Sequence, residues 1–172
     1  MKNRYLFSKD ETECTVFFND GTFFIIDSCD FEVVSKYTWF KSKRGYPVAH
    51  FSRKSPQGHK TFSLHRYLFN FPPSGTIDHI DRDKMNNRRN NLRLCTQQQN
   101  SFNQSLRVTN SSGYTGVSIN KATGMFEAYI HFKGKKKYLG LYATAEEAAV
   151  VRDKEALKIF GKFANLNFPN VA

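Results

Sequence analysis

The strongest constraint on this chain is its punctuation. Short β-type segments alternate with turns rich in Gly, Asn and Pro along most of its length, and one long stretch, opened at Thr144, carries the signals of a helix. Small sheets with few helices follow, an α+β protein. Residues 15–18 and 22–26 flank Asn19-Asp20-Gly21, which predicts a hairpin because Asn and Gly tolerate the positive φ of a tight turn. Asp30 is placed to cap a short helix running through Val33, Val34 and Tyr37 to Trp39. A second hairpin, 46–53 with 60–64, is expected around Ser55-Pro56-Gln57-Gly58. Residues 1–64 are therefore read as a small β-rich module whose aromatics form a core.

Residues 108–113, with Thr109, Asn110, Ser111, Ser112 and Gly113 in a row, read as a linker and predict a boundary near residue 110. Beyond it, 114–120, 125–132 and 136–142 alternate as three antiparallel strands. Thr144-Ala145-Glu146-Glu147 is a capping box, opening a helix that runs to Phe160 and stops at Gly161. Ala145, Ala148, Ala149 and Ala156 would let that helix lie close to the sheet.

A formal net charge of +11 points to a polyanion partner bound through phosphate neutralisation. The excess is spread along the chain: ten cations against seven anions in residues 1–64, seven against three in 65–111, and nine against five in 112–172. All three segments are thus suited to lie along one duplex. Three dispersed cysteines, Cys14, Cys29 and Cys95, suggest reduced buried thiols rather than a disulfide framework or a cysteine zinc site. No leader or membrane-spanning run is apparent, so a cytoplasmic protein is expected, with no membrane partner.

Chemistry concentrates in His65-Arg66, Thr76-Ile77-Asp78-His79-Ile80-Asp81 and Asn90-Asn91-Leu92-Arg93-Leu94-Cys95-Thr96-Gln97-Gln98-Gln99-Asn100. Residues 76–80 and 92–95 have the pattern of strands. Thr96 and Gln99 form a capping box that places Asn100 in the first turn of a following helix, with Phe102 and Leu106 facing its core. Hydrolysis of a phosphodiester needs an activated water, a cation against the developing negative charge, and help for the leaving 3′ oxygen. A hard oxygen donor beside a histidine, whose ordinary pKa is about 6.5, suits that task.

These residues resemble the motif of HNH endonucleases, in the phage and homing branch, over about residues 60–168. The resemblance implies a central ββα-metal unit, residues 65–111, holding one divalent cation, Mg²⁺ or Mn²⁺. Asp78 and Asn100 would be its protein ligands, His79 the general base, and Asn91 the bridge of the loop between the strands. Asn100 stands where the literal motif has a histidine. Adjacent strand residues point to opposite faces, so Asp78 and His79 need local twist to share a site. Arg66 could clamp a phosphate. Arg88 and Arg89 are divided between a solvated loop and phosphate contact, and His65 between a packed or supporting role and a catalytic one. Asp81 and Asp83 read as turn residues.

Residues 112–172 resemble the APETALA or ethylene-response-factor DNA-binding domain, through Gly113-Tyr114-Thr115-Gly116-Val117, Tyr138-Leu139-Gly140, Thr144-Ala145-Glu146-Glu147-Ala148-Ala149 and Ala164-Asn165-Leu166-Asn167-Phe168. The resemblance implies a three-stranded sheet packed on one helix, with the sheet entering the major groove. The DNA-facing positions would be Thr115, Ser118, Asn120, Tyr129, His131, Lys136 and Tyr138, with Lys135 and Lys137 on phosphates. These positions depart from the arginine- and tryptophan-rich plant pattern, so no sequence preference carries over. The joint expectation is a metal-dependent endonuclease acting on double-stranded DNA as a monomer, site-directed for homing or nicking, with no small-molecule cofactor. Its rivals are a non-catalytic DNA-binding regulator and an RNA-binding module using aromatic faces.

Overall fold

The computed structural model describes residues 2–103 and 110–169. The expected Leu106 and the start of the linker at 108–109 lie outside them. The chain divides into two compact units, residues 1–97 and 98–172.

In the first unit β1 (Arg4–Phe7), β2 (Glu13–Phe17) and β3 (Phe23–Asp27) form an antiparallel sheet in that order. The β2–β3 turn is the Asn19-Asp20-Gly21 turn. The Phe18 amide donates to the Thr22 carbonyl, the Asp20 carboxylate accepts from the Thr22 amide, and Gly21 takes φ 84°. Alternation then turns one face inward: Cys14, Val16, Phe24 and Ile26 are all sealed from solvent.

Helix α1 (Phe31–Val34) is shorter than expected and stops before Trp39. Asp30 makes no side-chain cap. Its carboxylate instead receives the Arg89 guanidinium, a charge-assisted fork that outcompetes a single amide. Strands β4 (Phe40–Lys41), β5 (Pro47–His50) and β6 (Thr61–Ser63) make a second antiparallel sheet, and α2 (Leu64–Leu68) follows at once. Trp39 anchors the core between these layers, its indole donating to the Val34 carbonyl, with Phe24, Tyr37 and Phe62 packed edge-on around it.

The hairpin β7 (Thr76–His79) with β8 (Leu92–Cys95) completes the unit. Ile77 and Leu92 join the same core as Cys14, Trp39 and Leu64, so residues before and after position 64 share one apolar interior. Backbone bonds pin the loop between these strands to the edge of β3: the Ile25 amide donates to the Met85 carbonyl, and the Asn87 amide to the Ile25 carbonyl. Helix α3 (Gln97–Phe102) follows β8, and the division between units falls within its first residues.

In the second unit β9 (Val117–Ile119), β10 (Phe126–Phe132) and β11 (Lys135–Tyr142) form an antiparallel sheet with β10 in the centre. Helix α4 (Ala145–Phe160) carries both halves of the capping box: the Glu147 amide donates to Thr144 Oγ1 and the Thr144 amide to Glu147 Oε2. Its buried Ala145, Ala148, Ala149 and Ala156 pack behind Val117, Ala128 and Ile130. Among the described residues no helix is long and apolar enough to cross a membrane.

Candidate active site

Along β7, Asp78 and His79 alternate to opposite sides, and both are buried, at 7% and 5% exposure. Asp78 lies directly across the hairpin from Arg93, whose Nε and Nη2 donate to Asp78 Oδ2 at 2.9 and 2.7 Å. This ion pair is largely shielded from water, which is why the carboxylate tolerates its depth.

His79 sits on the other side, with Nε2 3.2 Å from Asn87 Oδ1. Asn87 is fully buried and its Nδ2 donates to the Lys84 carbonyl, which can only accept. That bond fixes the amide so that Oδ1 must accept from His79 Nε2–H. A neutral His79 therefore carries its lone pair on Nδ1. Burial holds the His79 pKa below the usual imidazole range, against the opposing pull of the Asn87 hydrogen bond and the carboxylates of Asp81, Asp78 and Asp83. Burial thus favours the neutral form of the imidazole.

Two further rings line this side. Tyr46 lies 6.0 Å from the His79 ring and 5.1 Å from that of His65, and His65 meets His79 edge-on at 5.3 Å. His65 Nε2 is 3.2 Å from Ser63 Oγ, while its Nδ1 is sealed from solvent with no hydrogen-bond partner among the described residues. Burial, then the neighbouring His79 and Arg66 charges, push its pKa down to about 3.

The loop between β7 and β8 is closed by a network around Asn91. Its Oδ1 accepts from the Asp81 amide, and its Nδ2 donates to Asp81 Oδ1 and to the Asn86 carbonyl. Asp81 also accepts from the Asp83 amide and Asn86 Nδ2, and the Ile80 amide donates to the Asn91 carbonyl. Asn91 thus holds both ends of the loop that carries Asn87. Asp78, His79 and Asn91 belong to the first unit, whereas the half-buried Asn100, on α3, belongs to the second. Among the described residues no cluster of three or more His, Cys, Asp or Glu side chains could enclose a metal ion.

The arginines named from the sequence are engaged within the protein. Arg66 donates to the Pro72 carbonyl, Arg88 pairs with Glu13, and Arg89 with Asp30. Arg93, Asn87 and Tyr46 had no assigned role in the sequence.

In the second unit Tyr129 and His131 lie on the sheet face opposite Ala128 and Ile130, which α4 covers. Tyr138 pairs across the sheet with Tyr129 and is exposed. Lys136 reaches Glu127 and sits 4.2 Å above the Tyr129 ring, and Lys137 reaches Glu155, while Lys135 is exposed at the strand start. Ser118 lies opposite Glu127. The Thr115 backbone is held by the Asn167 amide, and Asn120 Oδ1 closes the turn after β9 by accepting from the Ala122 and Thr123 amides.

Residues 71–102 match the family described as HNH endonuclease. The chain is 35% identical over 153 residues to an uncharacterized HNH endonuclease of Acanthamoeba polyphaga mimivirus, covering 86% of this chain and 75% of that protein. It is 43% identical over 58 residues to APETALA2-like protein 2 of Oryza sativa, 34% of this chain but 13% of the plant protein. Protein 3.8 of Escherichia phage T7 is 35% identical over 65 residues, 38% of this chain and 54% of the phage protein. No solved structure matches the chain.

Proposed function

The chain belongs to the HNH endonuclease family, and from that premise we propose that it nicks duplex DNA by metal-dependent hydrolysis, with His79 as general base and Asp78 and Asn100 as the protein ligands of one divalent cation. The observation that carries this reading is the locked orientation of His79, whose Nε2–H is committed to Asn87 so that Nδ1 is the basic nitrogen. A water attacking phosphorus would give its proton to His79 Nδ1, and the bond from phosphorus to the 3′ oxygen would break, leaving a 5′-phosphate and a 3′-hydroxyl once that oxygen is protonated.

HNH endonucleases are in general divalent-metal dependent, and the donors here fit such an ion. A carboxylate and an amide oxygen are hard ligands of the kind Mg²⁺ or Mn²⁺ takes. When bound, the cation supplies positive charge against the phosphate as negative charge develops. Asn91 holds the loop that carries Asn87, and through it the base. The plant relatives carry transcription-factor or APETALA2-like names, which supports a DNA-binding region in this chain. We assign that role to residues 112–172, with Tyr129, His131 and Tyr138 toward the bases and the β11 lysines toward phosphates.

The test is conversion of supercoiled plasmid to nicked circles in Mg²⁺ or Mn²⁺. Chelator should abolish it. The His79→Ala change should slow it about 10²- to 10⁴-fold with DNA affinity retained, the range for loss of a general base. Cleavage that persists in excess chelator, or an equal loss of binding and cleavage in the variant, would sink the proposal.

A further inference from the structure

One charge in the site has no part in that scheme. Arg93 faces Asp78 across β7 and β8, donating to its carboxylate from both Nε and Nη2, and its side chain is 14% exposed against 8% for Asp78. A carboxylate at that depth requires a positive neighbour, and Arg93 supplies one without any metal. A divalent cation on the same carboxylate would set two positive groups against one negative charge in a poorly screened place. Either the cation binds weakly there or the guanidinium takes another anion. The substrate brings that anion, because a DNA phosphate offers two charged non-bridging oxygens that the paired N–H donors of a planar guanidinium can hold together.

We propose that Arg93 is an exchange residue: it clamps Asp78 in the free protein, keeping divalent-cation affinity low, and transfers to a backbone phosphate of bound duplex, so that Asp78 takes the cation tightly only on DNA. The inference rests on Asp78 being a metal ligand, as proposed above. It goes further by making metal loading conditional on substrate.

Mn²⁺ binding to the full chain, read by loss of the free-ion signal in electron paramagnetic resonance, tests it. The measurement is made in a His79→Ala background so that duplex survives, with and without a short duplex. The parent should bind Mn²⁺ weakly alone and about ten-fold or more tighter with duplex, the lower bound for adding or removing a neighbouring charge. The further Arg93→Met change should tighten Mn²⁺ binding to the DNA-free protein by about ten-fold or more and largely remove the added effect of duplex. It should also lower the salt slope of DNA binding by about one. If Trp39 fluorescence shows that Arg93→Met does not fold, Arg93→Gln, which keeps an N–H for Asp78 without the charge, carries the same expectation.

Unchanged or weaker Mn²⁺ affinity in the charge-removed, DNA-free variant overturns the exchange. An Asp78→Ala arm separates the two levels. If it leaves Mn²⁺ binding intact, the ligand assignment itself is wrong and the exchange falls with it. If it abolishes binding while Arg93 has no influence, the exchange alone is refuted.

Discussion

Acidification should destabilise the first unit through His65, by an amount the structure allows to be worked out. Its pKa falls from an ordinary 6.5 to about 3 in the folded protein, mainly because the ring is withdrawn from water. Between these values the unfolded chain holds a proton that the folded chain refuses, so stability falls as pH falls. The contribution is whole above about pH 6.5, declines by about 1.4 kcal/mol per unit below it, and levels off near pH 3. From pH 7 to pH 5 the loss from this one group is about 2 kcal/mol. His79 is shifted in the same direction, but it stays in both proteins when wild type is compared with His65→Phe. Phe keeps a ring against Tyr46 and His79 and removes the buried Nδ1, but it also removes the His65 Nε2–Ser63 hydrogen bond, so the two proteins should be close in stability at pH 7. Urea unfolding followed by the single tryptophan, Trp39 in the core of this unit, isolates the transition. Wild type should lose about 2 kcal/mol more than the variant over these two pH units. Parallel pH dependence in the two proteins would refute the reasoning, since His65 would then titrate alike folded and unfolded.

The pair Asp30 and Arg89 should respond asymmetrically: Arg89→Ala strands a carboxylate that is 3% exposed and should cost about 3 kcal/mol or more, whereas Asp30→Ala leaves an arginine that is 52% exposed and can reach water, costing clearly less. Equal losses in urea unfolding would mean that the carboxylate finds another partner. In the second unit, Lys135→Ala or Lys137→Ala should weaken binding to all duplexes alike and lower the salt slope by about one each, while Tyr129→Ala or His131→Ala should cost about 1 to 3 kcal/mol on a preferred site and little on random DNA. Uniform loss from the ring changes would reduce the sheet to an electrostatic clamp.

Local signals were legible where one short segment decides its own structure. The Asn19-Asp20-Gly21 turn, the limits of β8 and the Thr144 cap all rest on residues within a few positions of each other. Strand β1 was not visible, because Tyr5 packs against the core while Leu6 and Phe7 on either side of the pleat both remain exposed. Asp30 shows the other limit. Its residue type and position fit a helix cap, but the partner that takes its carboxylate lies 59 positions away. Periodicity likewise marks Ile77 and Leu92 as inward-facing without saying that their interior is shared with Cys14 and Trp39. Arg93 could have been found: once strands 76–80 and 92–95 are paired around a loop closed at Asn91, counting the register sets it opposite Asp78.

The parity of β7 bears on the proposed pairing of Asp78 and His79 in one centre. Asp78 keeps to the side of Arg93 and His79 to the side of Asn87, so neither side chain departs from ordinary strand alternation. What joins them is that His79 ends the strand. The chain turns there into a loop whose Asp81 and Asp83, together with Asp78, all raise the proton affinity of the imidazole while burial lowers it. In the proposed scheme the base must be neutral before it takes the water proton and must hold that proton afterwards, and this opposition would serve both needs. Burial favours the unprotonated imidazole, and the surrounding carboxylates would stabilise the imidazolium formed in that scheme. Neutralising Asp78, by Arg93 or by the proposed cation, would weaken one of those supports and leave Asp81 and Asp83. Their geometry depends on Asn91 through the Asp81 hydrogen bonds, so in the proposed scheme the asparagine would act on His79 twice: once through the Asn87 loop, and once through the carboxylates that would steady its protonated form.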